Sequence, residues 1–280
     1  MSEENGLWAG VKETVKTVVY ALLIAGLFRS ILFQPFWIPS GSMKDTLLIG
    51  DFLFVNKMAY GYSYASCPAV KVPALGIDIG PDDFCGAFMG SDERLFGSDP
   101  ERGDVVVFRH RGLGEDYIKR LIGLPGDKIQ VIDGLLYIND EPVQVEPAGQ
   151  FIEETSPQGP HQIPPSCMRP VTDNQCVKDR FIETLPNGVS HEILNITNNG
   201  QGDNTDVFYV PENEFFFMGD NRDNSVDSRF AWNPISNRGV GTVRREDIVG
   251  RADRVIFSSA GKSILAFWTW RADRFFHAIN

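Results

Sequence analysis

Histidine is scarce in this chain: His110, His161, His191 and His277 are the only four among 280 residues. None has a carboxylate that spacing alone pairs with it, so a Ser-His-Asp triad would have to rest on His110, with its third member unidentified. The other three read as surface residues. Cysteine is scarce too, and Cys67, Cys85, Cys167 and Cys176 include no C-x-x-C and lie far from histidine in any zinc-like spacing. That leaves two disulfides formed outside the cytoplasm, the preferred reading, or four unpaired buried thiols. An excess of positive charge is also missing. With a formal net charge of -11 and no visible basic patch, nucleic acid is excluded as a partner. No repeat of 20 to 50 residues occurs, which argues against a propeller or solenoid.

Long hydrophobic runs are absent except for one, VKTVVYALLIAGLFRSILF at 15–33. At about 19 residues, or roughly 28 Å as a helix, it matches a bilayer core. Lys16 and Arg29 can snorkel to opposite faces. The residues that follow, Gln34-Pro35-Phe36-Trp37, are too bulky for a leader cleavage site, so the expectation is an uncleaved transmembrane anchor. Lys12 and Lys16 place the N-terminus (1–14) inside, acidic neighbours counting for little in the positive-inside rule. The rest of the chain (34–280) then lies outside, as the cysteine reading also requires.

Beyond the anchor the pattern is mainly β. Short strands are expected at 51–55, 104–109, 117–122, 128–132 and 135–138, with Asp133-Gly134 a strong hairpin cue between the last two. From Tyr60 to about Arg102 runs a Gly-, Pro- and Asp-rich loop holding Cys67 and Cys85. Residues 139–205 turn polar and proline-rich around Cys167 and Cys176, and read as an inserted β region with a Pro186-Asn187-Gly188 turn. Strands resume at 207–210, 214–218 and 248–257. The expected architecture is one catalytic domain with a core of about 36–138 and 206–258. Its aromatic tail, 259–280, lies on a membrane surface or packs as a helix on the domain.

The stretch Phe36-Trp37-Ile38-Pro39-Ser40-Gly41-Ser42-Met43 is either a Ser-Gly linker or the seat of a nucleophile. Pro39 disfavours a helical conformation at Ile38, and Gly41 allows close approach. A nucleophilic Ser42 needs a base. With histidine poorly placed, the alternative is a lysine kept neutral by burial. Lys119 fits best, inside the strand Tyr117-Ile118-Lys119-Arg120-Leu121-Ile122, whereas Lys44, Lys57, Lys71 and Lys178 have turn-like or polar contexts. Arg120 cannot substitute, because a guanidinium does not deprotonate. Bringing a lysine from a pKa of about 10.4 to half-neutral near pH 7 takes roughly 4.6 kcal/mol, within reach of full burial. The bland alternative is an edge-strand lysine snorkelling to solvent. A third segment, Gly219-Asp220-Asn221-Arg222-Asp223-Asn224-Ser225-Val226-Asp227-Ser228-Arg229, follows an apolar run. It reads as a solvated loop, a calcium site through Asp220, Asp223 and Asp227 without EF-hand spacing, or a supporting shell for a catalytic lysine.

Together PSGSM, GDVVVF (103–108), YIKRLIGLPGD (117–127) and GDNRDNSVDSR resemble, in order and behind a single anchor, the blocks of bacterial type I signal peptidase, a membrane-anchored Ser/Lys protease. The terminal GRADRVIFS is similar to that family's last core strand. The resemblance covers nearly all of the chain except the two insertions. It implies a mainly β, antiparallel signal-peptidase-type domain preceded by one transmembrane helix. It implies Ser42 as nucleophile, Lys119 as general base and then acid, and an oxyanion hole from the Ser42 N–H and the Ser40 hydroxyl. Ser225 would hydrogen-bond the Lys119 amine, and Asp227 and Arg229 would form a structural pair. It implies cleavage of secretory preproteins after Ala-x-Ala-like sites, bound as an added strand, with no metal or other cofactor. The implied location is the bacterial inner membrane, N-terminus in the cytoplasm and catalytic domain in the periplasm, in contact with phospholipid and near the secretion translocase. The expected disulfides are Cys67–Cys85 and Cys167–Cys176. One departure is Asp45 where many members have proline, and it is expected to face solvent. Rival readings lack a matching feature. Self-cleaving repressors carry a DNA-binding domain, penicillin-binding proteins need S-x-x-K where this chain has Asp45, and a catalytically dead envelope module would not keep Ser42 and Lys119.

Overall fold

The N-terminal apolar run folds as the second half of a helix, α1 (Ser2–Ile31), of 30 residues. The computed structural model describes residues 2–67, 70–72, 76–79, 94–159, 161–168, 174–261 and 265–279, side chains of 2–7, 9, 25, 27–31, 70–72 and 77–79 excepted. Along α1, Val15, Val18, Val19, Leu22, Leu23 and Ile24 are exposed. One point corrects the expected bounds of the anchor, 15–33. Phe33 belongs to the next strand rather than to the helix, because Pro35, lacking an N–H, suits an edge strand and not a helix interior. Among the described residues no helix is long and apolar enough to cross a membrane.

The chain continues through β1 (Phe33–Trp37), β2 (Asp51–Asn56), β3 (Val70–Val72), β4 (Ile77–Ile79), β5 (Val105–His110) and β6 (Glu115–Gly123). Then come β7 (Lys128–Ile132), β8 (Leu135–Ile138), β9 (Glu141–Pro142), β10 (Gln144–Glu154), β11 (Gln175–Thr184) and β12 (Ser190–Asn195). Last are β13 (Phe208–Tyr209), β14 (Glu214–Met218), β15 (Val243–Arg244) and β16 (Ile248–Ser258). A seven-stranded sheet runs β1-β2-β16-β5-β6-β14-β15, and smaller sheets run β13-β7-β8-β9, β10-β11-β12 and β3-β4. The pairings are antiparallel.

β5 explains why its sequence does not alternate. Val105 and Val107 pack with Ile38, Met43, Leu53 and Val249, while Val106 and Phe108 pack with Leu121, Phe215 and Phe217. A strand covered on both faces reads as a continuous apolar run. The β7–β8 hairpin turns at Asp133 and Gly134, with φ of 49° and 79°, the left-handed pair that a two-residue turn needs.

β1 and β10 were not legible as strands. β1 carries Pro35 opposite Phe54 at the edge of the sheet, and β10 is mostly exposed, with its pairing shifted between Pro147 and Gln150. The tail does not form the packed helix, one of its two alternatives, among the described residues. Its short 3-10 turns, Phe267–Thr269 and Ala272–Arg274, pack on β16 through Phe257, which meets Trp270 edge-on and lies 5.1 Å from Phe275. Phe267, Trp268 and Phe276 remain exposed. Cys167 and Cys176 are joined; Cys85, the expected partner of Cys67, lies outside the described residues.

Candidate active site

The PSGSM residues form the turn between β1 and β2. Ile38 closes that hairpin by donating to the Asp51 carbonyl at 2.9 Å and accepting from the Gly50 N–H at 2.9 Å. Met43 and Leu47, 1% and 0% exposed, sink into the core beneath it, so the polar residues between them are carried on an apolar footing. Asp51 ties off the turn by accepting from the Leu48 N–H at 2.8 Å. The Asp51 carboxylate also takes a double bond from Arg274 of the tail, and Arg274 donates to the Thr46 carbonyl at 2.9 Å. A tail with no assigned role in the sequence thus clamps the turn.

Lys119 comes from β6, in register with Val106 of β5, and is 3% exposed. Its Nζ donates to Ser42 Oγ at 2.6 Å and to the Ile118 carbonyl at 2.9 Å. Burial lowers its pKa from 10.5 to about 8, against the attraction of Asp227 and Asp220 and with help from Arg229. Burial alone does not distinguish it. Lys44 and Lys178, expected in turn-like or polar contexts, are 3% and 1% exposed, Lys178 being part of β11 in the inserted sheet. Both, however, pair with Glu153, which for Lys44 works against the lowering of its pKa by burial. Among the described residues no carboxylate forms an ion pair with Lys119, so desolvation outweighs the attraction of Asp227 and Asp220.

Ser40 Oγ lies 3.5 Å from Ser42 Oγ, and among the described residues the Ser42 N–H donates to no other group. The structure therefore brings Ser42, Lys119 and Ser40 together. Asp227 and Arg229 meet in a buried bidentate pair, both bonds 2.9 Å, and Asp227 also accepts from the Gly219 N–H at 2.9 Å. Burial opposes ionisation of Asp227, yet Arg229 and the Gly219 N–H outweigh it and hold its carboxyl below the usual range. Ser225 departs from expectation. Its Oγ is buried near the Asp227 carboxylate, whose charged form it favours, but it makes no hydrogen bond of acceptable geometry, to Lys119 or to any other group.

Asp45 does not face solvent. Its carboxylate meets Arg180 of β11 at 2.6 Å with 19% of the side chain exposed, because the inserted sheet lies over the turn. Burial raises its pKa, against Arg180, and it is not among the charges that act on Lys119. The histidines stay out of the site. His110 has Nε2 3.0 Å from the Gly239 carbonyl and accepts at Nδ1 from the Leu113 N–H. His191, expected at the surface, is 4% exposed with Nε2 3.3 Å from Glu183 Oε1, its register partner across the β11–β12 pair. The three aspartates of the supposed calcium loop part ways. Asp220 binds Arg120, Asp227 binds Arg229, and Asp223 accepts from the Ile196 and Thr197 N–H groups.

Several supporting residues carried no signal in the sequence beyond their place in dense polar blocks. Arg120, 0% exposed, forks onto Asp220 at 2.9 and 2.8 Å and reaches the Gly103 carbonyl at 2.7 Å. Thr46 donates to Asp220 at 2.5 Å, joining this pair to the nucleophile's turn. Asn221 donates through its backbone N–H to the Ser42 carbonyl and through Nδ2 to the Gly41 carbonyl. Arg222 meets Glu183 of β11 bidentately.

A family model described as signal peptidase, peptidase S26, matches residues 11–257. The signal peptidase I of Rickettsia typhi (strain ATCC VR-144 / Wilmington) is 38% identical over 256 residues, 89% of this chain and 81% of that protein. That of Rickettsia canadensis (strain McKiel) is 38% identical over 251 residues, 87% of this chain and 79% of its own. A crystal structure of a signal peptidase I from Enterococcus faecalis V583 is 24% identical and covers 55% of this chain and 97% of its own, with a TM-score of 0.29, too low to carry an argument.

Proposed function

The chain belongs to the signal peptidase family, peptidase S26, serine peptidases that remove signal peptides, and from that premise we propose that it cuts with a Ser42/Lys119 dyad after Ala-x-Ala-like sites. The observation that carries the dyad is the 2.6 Å contact between Lys119 Nζ and Ser42 Oγ, made by a buried lysine that no carboxylate pairs with.

With a pKa of about 8, about a tenth of the lysine is neutral at pH 7. In that form the Ser42 hydroxyl donates to the amine's lone pair. As Oγ attacks the scissile carbonyl carbon, its proton passes to Nζ, and the oxyanion is met by the Ser42 N–H and the Ser40 hydroxyl. Collapse breaks the C–N bond, and Lys119 returns the proton to the leaving amine, the new N-terminus of the mature protein. Lys119 then takes a proton from water, whose oxygen attacks the Ser42 ester; collapse breaks the C–Oγ bond, Lys119 returns the proton to Ser42 Oγ, and the signal peptide leaves with a new carboxyl terminus. Asp227, Arg229, Arg120 and Asp220 hold the frame without touching the reacting atoms.

The substrate is an extended secretory preprotein, laid as an added strand beside Ile38–Ser40. The reading of α1 as a single-pass anchor in a bacterial inner membrane rests on the apolar run at 15–33 and the exposed Val18, Leu22, Leu23 and Ile24. One crossing with the domain outside requires the N-terminus in the cytoplasm. Phospholipid contact and proximity to the secretion translocase follow from that placement. The test is cleavage of a preprotein by the detergent-solubilised protein: the wild type cuts after Ala-x-Ala and Ser42→Ala does not. Cleavage surviving in Ser42→Ala would remove the nucleophile assigned here.

A further inference from the structure

A cavity of about 150 Å³ opens beside Ser42. Ser40, Gly41 and Ser42 form one end, and Lys44, Glu153 and Lys178 the other. Lys119 and the apolar side chains of β1 and β6 take no part in its walls. Its roof is the segment from Ile163 to Ser166, fixed by the Cys167–Cys176 bond and by Ser166 donating to Asn224 Oδ1 at 3.2 Å.

The charge inside this cavity does not balance. Lys44 Nζ donates to Glu153 Oε2 at 2.5 Å and to Gln158 Oε1 at 2.9 Å, and Lys178 Nζ donates to Glu153 Oε1. Gln158 Nε2 adds a further bond to Glu153 at 2.7 Å. Two ammonium groups therefore share one carboxylate, all three side chains at most 10% exposed. A buried surplus of one positive charge is costly unless a counter-charge reaches it. Burial lowers the Lys44 pKa despite Glu153, consistent with an ammonium short of partners. The lysine stem also lies against the nucleophile's turn: a Cβ added at Gly41 would sit 3.3 Å from Lys44 Cε.

We propose that this cavity receives the first residues of the mature protein, just after the cut, and selects an acidic side chain there through Lys44 and Lys178. The inference rests on the peptidase reading above. The chain before the cut is assigned to the Ile38–Ser40 side, and the leaving half must depart past Ser42 in another direction. Two or three extended residues span about 7–10 Å, enough to carry an Asp or Glu from the scissile bond into the cavity. Its carboxylate would supply the missing counter-charge, as a charge-assisted hydrogen bond to an ammonium with a donor to spare.

The test uses full-length protein in detergent and one preprotein with Glu, Gln or Lys placed in turn at each of the first three positions after the cut. The quantity read is the ratio of kcat/KM for Glu over Gln within each enzyme, which a general loss of activity does not move. In the wild type it should reach about tenfold at one position at least, the size of one such bond, with Lys worse than Gln. Lys44→Gln should bring the ratio to about one, and Lys44→Arg should keep it. A wild-type ratio within about twofold at all three positions overturns the proposal, and that reading needs no variant to fold. A ratio unchanged in Lys44→Gln overturns it as well. Failure of the wild type to cut any of these substrates would sink the peptidase reading, and this inference with it.

Discussion

Asn221 donates from Nδ2 to the Gly41 carbonyl at 2.9 Å, while its backbone N–H holds the Ser42 carbonyl at 3.1 Å. One residue thus grips the nucleophile's turn at two successive peptide groups. The grip fixes where Ser42 Oγ stands relative to Lys119, and it leaves both side chains free to react.

Replacing Asn221 with Ala leaves the buried Gly41 carbonyl without its side-chain partner, at a cost of about 1–3 kcal/mol. Asn221→Ala should therefore lower kcat by about ten- to a hundredfold and change KM much less, because its hydrogen bonds go to the Gly41 and Ser42 carbonyls of the nucleophile's turn. Steady-state kinetics on a preprotein separate the two. A rise in KM at constant kcat would place Asn221 in substrate binding instead.

Lys119→Ala and Lys119→Arg should each lose at least about a thousandfold in kcat/KM. Arginine restores the charge but cannot accept a proton at working pH. Circular dichroism should show both variants folded. Rescue by Lys119→Arg would mean that the charge, and not a base, is what Ser42 needs.

The lowered Lys119 pKa, about 8 against 10.5, has two pH signatures. kcat/KM should rise about tenfold per pH unit below about 8 and then level off. For stability, the folded state carries a buried charged lysine below about 8, and the penalty is full there. Between about 8 and 10.5 the unfolded chain still binds the proton that the folded one has released, so stability rises with pH. Lys119→Met should accordingly stabilise the protein by roughly 3 kcal/mol at pH 7 and by almost nothing above about 10.5. Urea melts of both proteins at pH 7 and 10.5 measure this.

Gly219 leaves no space for a side chain. A Cβ there would lie 2.2 Å from Ser225 Oγ, 2.5 Å from Ser225 Cβ and 2.6 Å from the Ser42 carbonyl oxygen. Gly219→Ala should cost about 1–3 kcal/mol and should reduce cleavage beyond the loss of folded protein, since the clash pushes directly on Ser42. Activity per folded molecule, from active-site titration, is the measurement.

Arg274 is the tail's hold on the nucleophile turn, through Asp51, which is 0% exposed. Arg271 Nη1, 3.8 Å from the same carboxylate, and the Ser258 hydroxyl, at 2.6 Å, would remain, so Arg274→Ala should destabilise the fold by less than the roughly 3–5 kcal/mol of a buried charge left with no partner. The double variant Arg274→Ala, Asp51→Asn should recover part of the loss, which thermal melts can read. No recovery would show that the tail acts by covering apolar surface and not by charge.

How far the sequence carried depends on the range of the physics involved. Asp133-Gly134 announced its hairpin because a two-residue turn is decided by its own φ angles, 49° and 79°. β5, β7, β8 and β14 were legible because apolar runs between turn signals are local features. Lys119 stood out by lying among apolar neighbours in one strand, and Ser42 by its Pro-Ser-Gly setting. β10 was illegible because an exposed strand has no apolar period to show. Burial of Lys44, Lys178 and His191 was illegible for a different reason. Glu153 is 109 positions from Lys44 and reaches it only through folding, while Lys178 and His191 are strand residues of the inserted sheet, whose buried face depends on what that sheet packs against.

By itself, then, the sequence determined the types of residue available for chemistry and the strands that carry them, since both are written in short windows. Tertiary structure alone decided which lysine lacks a counter-ion: Lys44 and Lys178 meet Glu153 and Lys119 meets Ser42. It also decided that Ser225 makes no hydrogen bond to the amine while Asn221 grips the turn, and that Asp45 turns to Arg180 and away from solvent. These outcomes rest on contacts between distant segments, where burial and the nearest charge set what a side chain can do.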